Sequence, residues 1–107
     1  MRRERAPAIY IMTSAFHGTL YTGVTSNLLG RVWQHREGKF DGFTREHGCK
    51  RLVWFEMHGS MEAAIIREKR IKRWLRSWKY DLIAAENPTW RDLAEDHGFE
   101  PLAPRTR

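Results

Sequence analysis

At 107 residues, with 41% apolar and 30% charged side chains, the chain fits one compact domain and carries too many hydrophobes to stay disordered. No apolar run approaches the length of a membrane-spanning helix, and the single cysteine, Cys49, excludes an internal disulfide or a paired CxxC metal site. A net charge of +6 and a pI near 10.0 favour a polyanionic partner, nucleic acid ahead of an anionic membrane surface, with the cytoplasm as default compartment.

The basic start, Arg2, Arg3 and Arg5, followed by a short apolar stretch, imitates a signal peptide. The stretch is minimal and no small-residue cleavage site follows, so residues 8–12 read as a first strand. Residues 20–24 read as a second, and the intervening loop, with Gly18 near its end, makes the two a hairpin. Tyr10 and Tyr21 share a face of that hairpin only if paired positions sum to an odd number, and the odd register is expected.

Ser26 is placed to cap a first helix through Leu28, Leu29, Val32 and Trp33 to Glu37, stopped by Gly38. On it, Arg31 and His35 stand four apart and share a face. Residues 51–56 form a third strand. Ser60 caps the longest helix, predicted over residues 61–78 with no internal Gly or Pro, and a short helix over residues 80–86 ends before Asn87 and Pro88. Residues 90–95 supply a last turn or two. The order is β-β-α-β-α-α, with residues 2–5 and 100–107 as loose ends and no internal repeat or linker.

Two features of the long helix carry chemistry. Arg67, Lys69, Arg70, Lys72, Arg73, Arg76 and Lys79 are accompanied in their stretch by one acid, Glu68, so phosphate binding explains the run better than solubility. Met61, Ala64, Ile65, Ile71, Leu75 and Trp78 form an apolar stripe, and Glu68 falls inside it. A carboxylate there needs a partner: a buried cation such as Arg31, or a divalent metal in a polar cleft, for which Mg²⁺ suits a lone carboxylate better than Zn²⁺. His47 and Cys49 have zinc-like spacing but no second pair.

Taken in order, Ala8, Ile9 and Tyr10, then Tyr21, Thr22 and Gly23, then Arg31, His35 and Glu68 resemble the GIY-YIG nuclease domain. The resemblance spans residues 8–93 and is closest to small bacterial single-domain members. Those read similarly at residues 20–25, 42–45, 67–72 and 87–93. Ala8 and Thr22 depart from the two tripeptides at positions that spare both tyrosines.

The resemblance implies an α+β fold, a small three-stranded antiparallel sheet flanked by helices, forming a single domain over residues 1–107. It also implies a phosphodiester hydrolase using one divalent metal, Mg²⁺ or Mn²⁺. Glu68 would hold the metal, Arg31 would bind the scissile phosphate, and Tyr10 and Tyr21 would flank the attacking water with His35 as base or proton relay. Asn87 matches a later polar position, and Arg36, Arg67, Arg70, Lys72 and Arg73 are the expected backbone contacts. DNA is expected ahead of RNA, with little sequence specificity, no membrane and no obligate protein partner. The alternative is a non-catalytic nucleic-acid-binding domain, which would explain the basic helix and leave the buried acid unexplained.

Overall fold

The computed structural model describes residues 6–40 and 42–102; residues 1–5, with Arg2, Arg3 and Arg5, and the end of the chain from residue 103 lie outside them. Its elements are β1 (Ala8–Thr13), β2 (Leu20–Thr25), α1 (Leu28–Arg36), α2 (Gly42–His47), β3 (Arg51–Met57), α3 (Met61–Lys72), α4 (Arg76–Glu86) and a C-terminal 3-10 helix, Leu93–His97. The sheet is antiparallel with order β2-β1-β3, as expected for the α+β class.

Strand β1 is central, and every one of its residues is buried, which is why its sequence reads as a nearly continuous apolar run. Ile9 and Ile11 face one side, packing with Val53 and Trp54 against Ala64 and Ile71 of α3, Ile83 of α4 and Trp90. Tyr10 and Met12 face the other, with Leu52, Val32 of α1, Cys49 and Ala94. The sheet therefore separates two cores.

Between β1 and β3 the register slips: Ile11 pairs with Trp54 but Met12 pairs with Leu52, so Val53 is an unpaired bulge residue. Its carbonyl accepts a hydrogen bond from Asn87 Nδ2 at 3.1 Å. The same side chain donates to the carbonyl of Arg91 and accepts from its amide, at 2.9 and 3.2 Å, fixing the turn after α4.

Three local expectations are corrected. Asn27, not Ser26, caps α1, its side chain accepting from the amide of Gly30 at 3.1 Å. Helix α2 is an addition; its six residues are too few to show a periodicity. The long helix is two, since α3 ends at Lys72 and Leu75, with ψ 153°, is extended before α4 begins. An unbroken helix over residues 61–78 would run about 27 Å, past a sheet whose strands span about 20 Å. The break lets Ile71 and Ile83 both reach the core.

The stripe is correspondingly shorter. Ala64, Glu68 and Ile71 are buried, while Met61, Ile65, Leu75 and Trp78 are exposed. Ser60 caps α3 as expected, accepting from the amide of Ala63 at 3.1 Å. No helix among the described residues is long and apolar enough to cross a membrane.

Candidate active site

The β1–β2 register pairs Tyr10 with Gly23 and Met12 with Tyr21, so both tyrosines stand on one face of the hairpin. Gly23 is there for space. A Cβ at that position would lie 2.6 Å from both Cζ and Oη of Tyr10, so the ring occupies the volume a side chain would need.

The tyrosine rings sit 6.2 Å apart, and His35, from the last turn of α1, packs against both at 5.5 and 5.3 Å. Tyr10 Oη and His35 Nε2 are hydrogen-bonded at 3.0 Å. Tyr10 and His35 are buried, whereas Tyr21 is only half-buried and is the member of the trio that reaches the surface.

Arg31 is joined to the trio through a residue that sequence reasoning missed. Its guanidinium lies 4.3 Å above the Phe40 ring, and Phe40 in turn touches His35 at 4.8 Å and Tyr21 at 6.1 Å. Phe43 approaches Tyr21 at 6.4 Å from the short helix α2. The signal was the Phe40 to Phe43 spacing after Gly38, a stretch without a periodicity of its own.

Glu68 comes from α3, on the other face of the sheet, where that helix lies over β1 and the edge strand β2. Its partner is Lys72 Nζ, at 2.6 Å from Oε2, one turn on in the same helix; no described ion pair or hydrogen bond links it to Arg31. The structure thus unites Tyr10, Tyr21, His35 and Arg31 and sets Glu68 beside the same edge strand from the opposite side.

The expected backbone contacts divide. Arg70, Lys72 and Arg73 are exposed at the C-terminal end of α3. Arg67 is half-buried, its Nε 3.1 Å from Glu56 Oε1 and its guanidinium 5.5 Å from the Trp74 ring. Arg36 and Asn87 are committed internally. Arg36 pairs with Asp92, donates to the carbonyl of Glu100 at 2.6 Å and lies over Phe99, while Asn87 holds the bulge and turn described above. The buried acid Asp92 had no signal in the sequence, since its cation lies on α1.

Among the described residues no three His, Cys, Asp or Glu cluster to make a protein-built metal cage. His47 is exposed while Cys49 is buried, so the two do not face one open site, and burial pushes the Cys49 thiol up to about 11. Glu68 is the carboxylate that fits a hard cation: Mg²⁺ takes one or two protein carboxylates and completes its shell with water and phosphate oxygens. Lys72 occupies one of its oxygens and, half exposed, is free to swing away.

A family model described as the GIY-YIG catalytic domain matches residues 6–81. A UPF0213 protein of Aeromonas salmonicida is 33% identical over 88 residues, covering 82% of this chain but 63% of that relative's length. A UPF0213 protein of Natronomonas pharaonis is 38% identical over 78 residues, covering 73% of this chain and 91% of the relative. Another, of Clostridium perfringens, is 38% identical over 69 residues, or 64% and 74% of the two chains. The shared name specifies no activity. No solved structure gives a significant match. With both tyrosines on one face, His35 between them and most of the chain inside the matched span, the protein belongs to the GIY-YIG nuclease family.

Proposed function

We propose that this chain hydrolyses phosphodiester bonds in nucleic acid, DNA ahead of RNA, with a divalent cation, Mg²⁺ or Mn²⁺, held by Glu68 and with little sequence specificity. The observation that carries the reading is the buried 3.0 Å hydrogen bond between Tyr10 and His35 directly behind half-exposed Tyr21. Packing alone would favour apolar residues there, because a polar pair in a core contributes little net stability and is costly if either partner is lost.

The residues divide the work. Arg31, fixed over Phe40, offers a guanidinium fork to the scissile phosphate and to the charge that builds on it. Tyr21, at the surface, contacts the attacking water. Tyr10 is fully buried and acts through His35: with Nε2 bare, the imidazole accepts from the phenol and provides a sink for a proton passed inward from Tyr21's side. The cation, when bound, stabilises the charge on the phosphate and on the departing oxygen. Exposed Arg70, Lys72 and Arg73 supply attraction for the backbone, independent of sequence.

Single-turnover cleavage of labelled DNA across pH tests the division. Tyr21→Phe keeps the ring and deletes the hydroxyl, and should lose about 10²- to 10⁴-fold. Tyr10→Phe should lose less, because it deletes the hydrogen bond to His35 while leaving Tyr21 and Arg31 in place. Cleavage by Tyr21→Phe at the wild-type rate would remove Tyr21 from the chemistry. Absence of cleavage by wild type with Mg²⁺ or Mn²⁺, despite salt-sensitive binding, would leave the binding-domain alternative.

A further inference from the structure

Two described non-glycine residues have left-handed backbones, His17 (φ 56°) and Trp90 (φ 58°), and their rings are in contact, 5.0 Å apart. Large side chains adopt this conformation at a cost, and such outliers cluster where a site imposes them. His17 is at the tip of the β1–β2 loop, which Ser or Gly alone could turn. Trp90 is in the turn that Asn87 fixes, its amide bonded to the Asn87 carbonyl at 3.0 Å.

Around this pair stands a column of rings. Phe16 stacks on His17 at 4.0 Å and 15°, and His17 stacks on Tyr80 of α4 at 4.8 Å and 24°. Trp90 meets all three edge-on. Tyr80 Oη locks the column by donating to the His17 carbonyl at 2.9 Å and accepting from Arg76 Nη1 at 3.0 Å. The outermost ring is unfinished: Phe16 is 56% exposed although one of its faces is covered by His17.

The surroundings are cationic. Arg76 lies against Tyr80, and Lys79, one turn along α4, reaches the Lys72 carbonyl at 3.5 Å, so Arg76 and Lys79 stand beside the column and Lys72, its ammonium paired with Glu68, comes next to Lys79. Burial and the charges of Arg76 and Lys72 hold the Lys79 ammonium below its ordinary value. An open aromatic face flanked by cations is the combination that holds single-stranded nucleic acid, the ring taking a base and the cations its phosphates.

We infer that Phe16 is a base-stacking subsite, which receives one unpaired nucleobase as the next ring of the column while Lys72, Arg76 and Lys79 hold the adjoining phosphates. A base inside a duplex is covered on both faces by its neighbours, so the nucleotide taken here is single-stranded or splayed out. The inference rests on the nuclease reading and deepens it. His17 stands four positions before Tyr21, at most about 14 Å of chain, and Trp90 and Tyr80 pack with the core on the Glu68 side of the sheet, so the column adjoins the candidate site from that side.

The test is a binding assay on the full chain in EDTA, so that cleavage plays no part. The probe is a 12-nucleotide oligodeoxyadenylate, and a set of copies in which one abasic residue is walked along it. Wild type should bind one abasic copy about 5- to 150-fold more weakly than the intact strand, the range for loss of one base–aromatic stack. Phe16→Leu, which keeps an apolar side chain without a π-face, should bind the intact strand equally weakly and be indifferent to the abasic position. Phe16→Trp should retain wild-type behaviour, and a 12-base-pair duplex should bind wild type and Phe16→Leu alike. A flat abasic scan, or Phe16→Leu binding like wild type, overturns the subsite and leaves the nuclease reading standing. Failure of wild type to bind either strand or duplex overturns both.

Discussion

Glu68 and Asp92 are equally buried, each 6% exposed, and each faces a cation, yet they are held in opposite ways. Both oxygens of Asp92 are consumed: Oδ1 accepts from the amides of Leu52 and Ala94 at 3.2 and 3.1 Å, and Oδ2 pairs with Arg36. Arg36 is itself enclosed, bonded to the Glu100 carbonyl and lying over Phe99. Glu68 meets a lysine of its own helix whose side chain is 50% exposed. A carboxylate whose donors come from two other segments of chain as well as from its own turn is a fastener. One whose cation can turn to water is a carboxylate kept in reserve. Burial alone does not distinguish them; the origin and exposure of the partners do.

The largest expected effect breaks the fastener. Asp92→Ala strands the Arg36 guanidinium and frees two backbone amides, which should cost about 3 to 5 kcal/mol. At about 4 to 8 °C per kcal/mol for a domain of this size, the melting temperature should fall by tens of degrees, with cleavage per folded molecule unchanged in the cold. A variant melting within a few degrees of wild type would make Asp92 no different from Glu68, and the comparison would collapse.

Glu68→Gln probes the other side. Volume and helix propensity are kept, and Lys72 relaxes into solvent, so the melting temperature should move little. Mg²⁺-dependent cleavage should drop by about 10²-fold or more while metal-free binding to DNA persists. A large loss of stability with cleavage retained would show that the Lys72 pair is structural after all.

The smallest effect belongs to Glu56, more exposed than either: its side chain is 34% exposed and bonded to Arg67 and His58. Burial raises its pKa, but the hydrogen bonds and charges of Arg67 and His58 outweigh it, so the folded value lies below the ordinary one. The stabilisation is therefore present above the unfolded value, about 4.3, and is lost as pH falls through the folded value. Melting curves between pH 5 and pH 3 should show wild type losing slightly more stability than Glu56→Gln. Parallel curves would mean that solvent screens the group entirely.

Local chemistry was readable in the sequence, and long-range partnership was not. The three strands, the Ser60 cap and the odd hairpin register follow from alternation, capping and pairing rules that act within a few residues. Burial of Glu68 follows from helical spacing. The α3–α4 break carries no Gly or Pro and arises because the sheet is shorter than the helix would be, a property of the assembled layers. Arg36 looked like a phosphate contact because the residue that claims it lies 56 positions away. Asn87 stands at a motif position, but its hydrogen bond to a bulge depends on how β3 is set against β1. Phe40 was missed for the same reason, since it acquires its role by touching Tyr21, His35 and Arg31 at once.

Gly23 has a consequence for how related chains diverge. Its backbone is not in the left-handed region, so the glycine is required for volume and not for flexibility. Positions 10 and 23 therefore hold one shared space, and neither can be changed as an independent letter. A relative that gains a side chain at the position of Gly23 must displace the ring of Tyr10, and with it the hydrogen bond to His35. Such a lineage can keep the sheet, the helices and the basic surface while losing the bonded Tyr10–His35 pair. That makes the small residue opposite the first tyrosine a diagnostic of its own: read together, the two positions sort relatives that can hold the buried tyrosine–histidine pair from those that have kept only the scaffold.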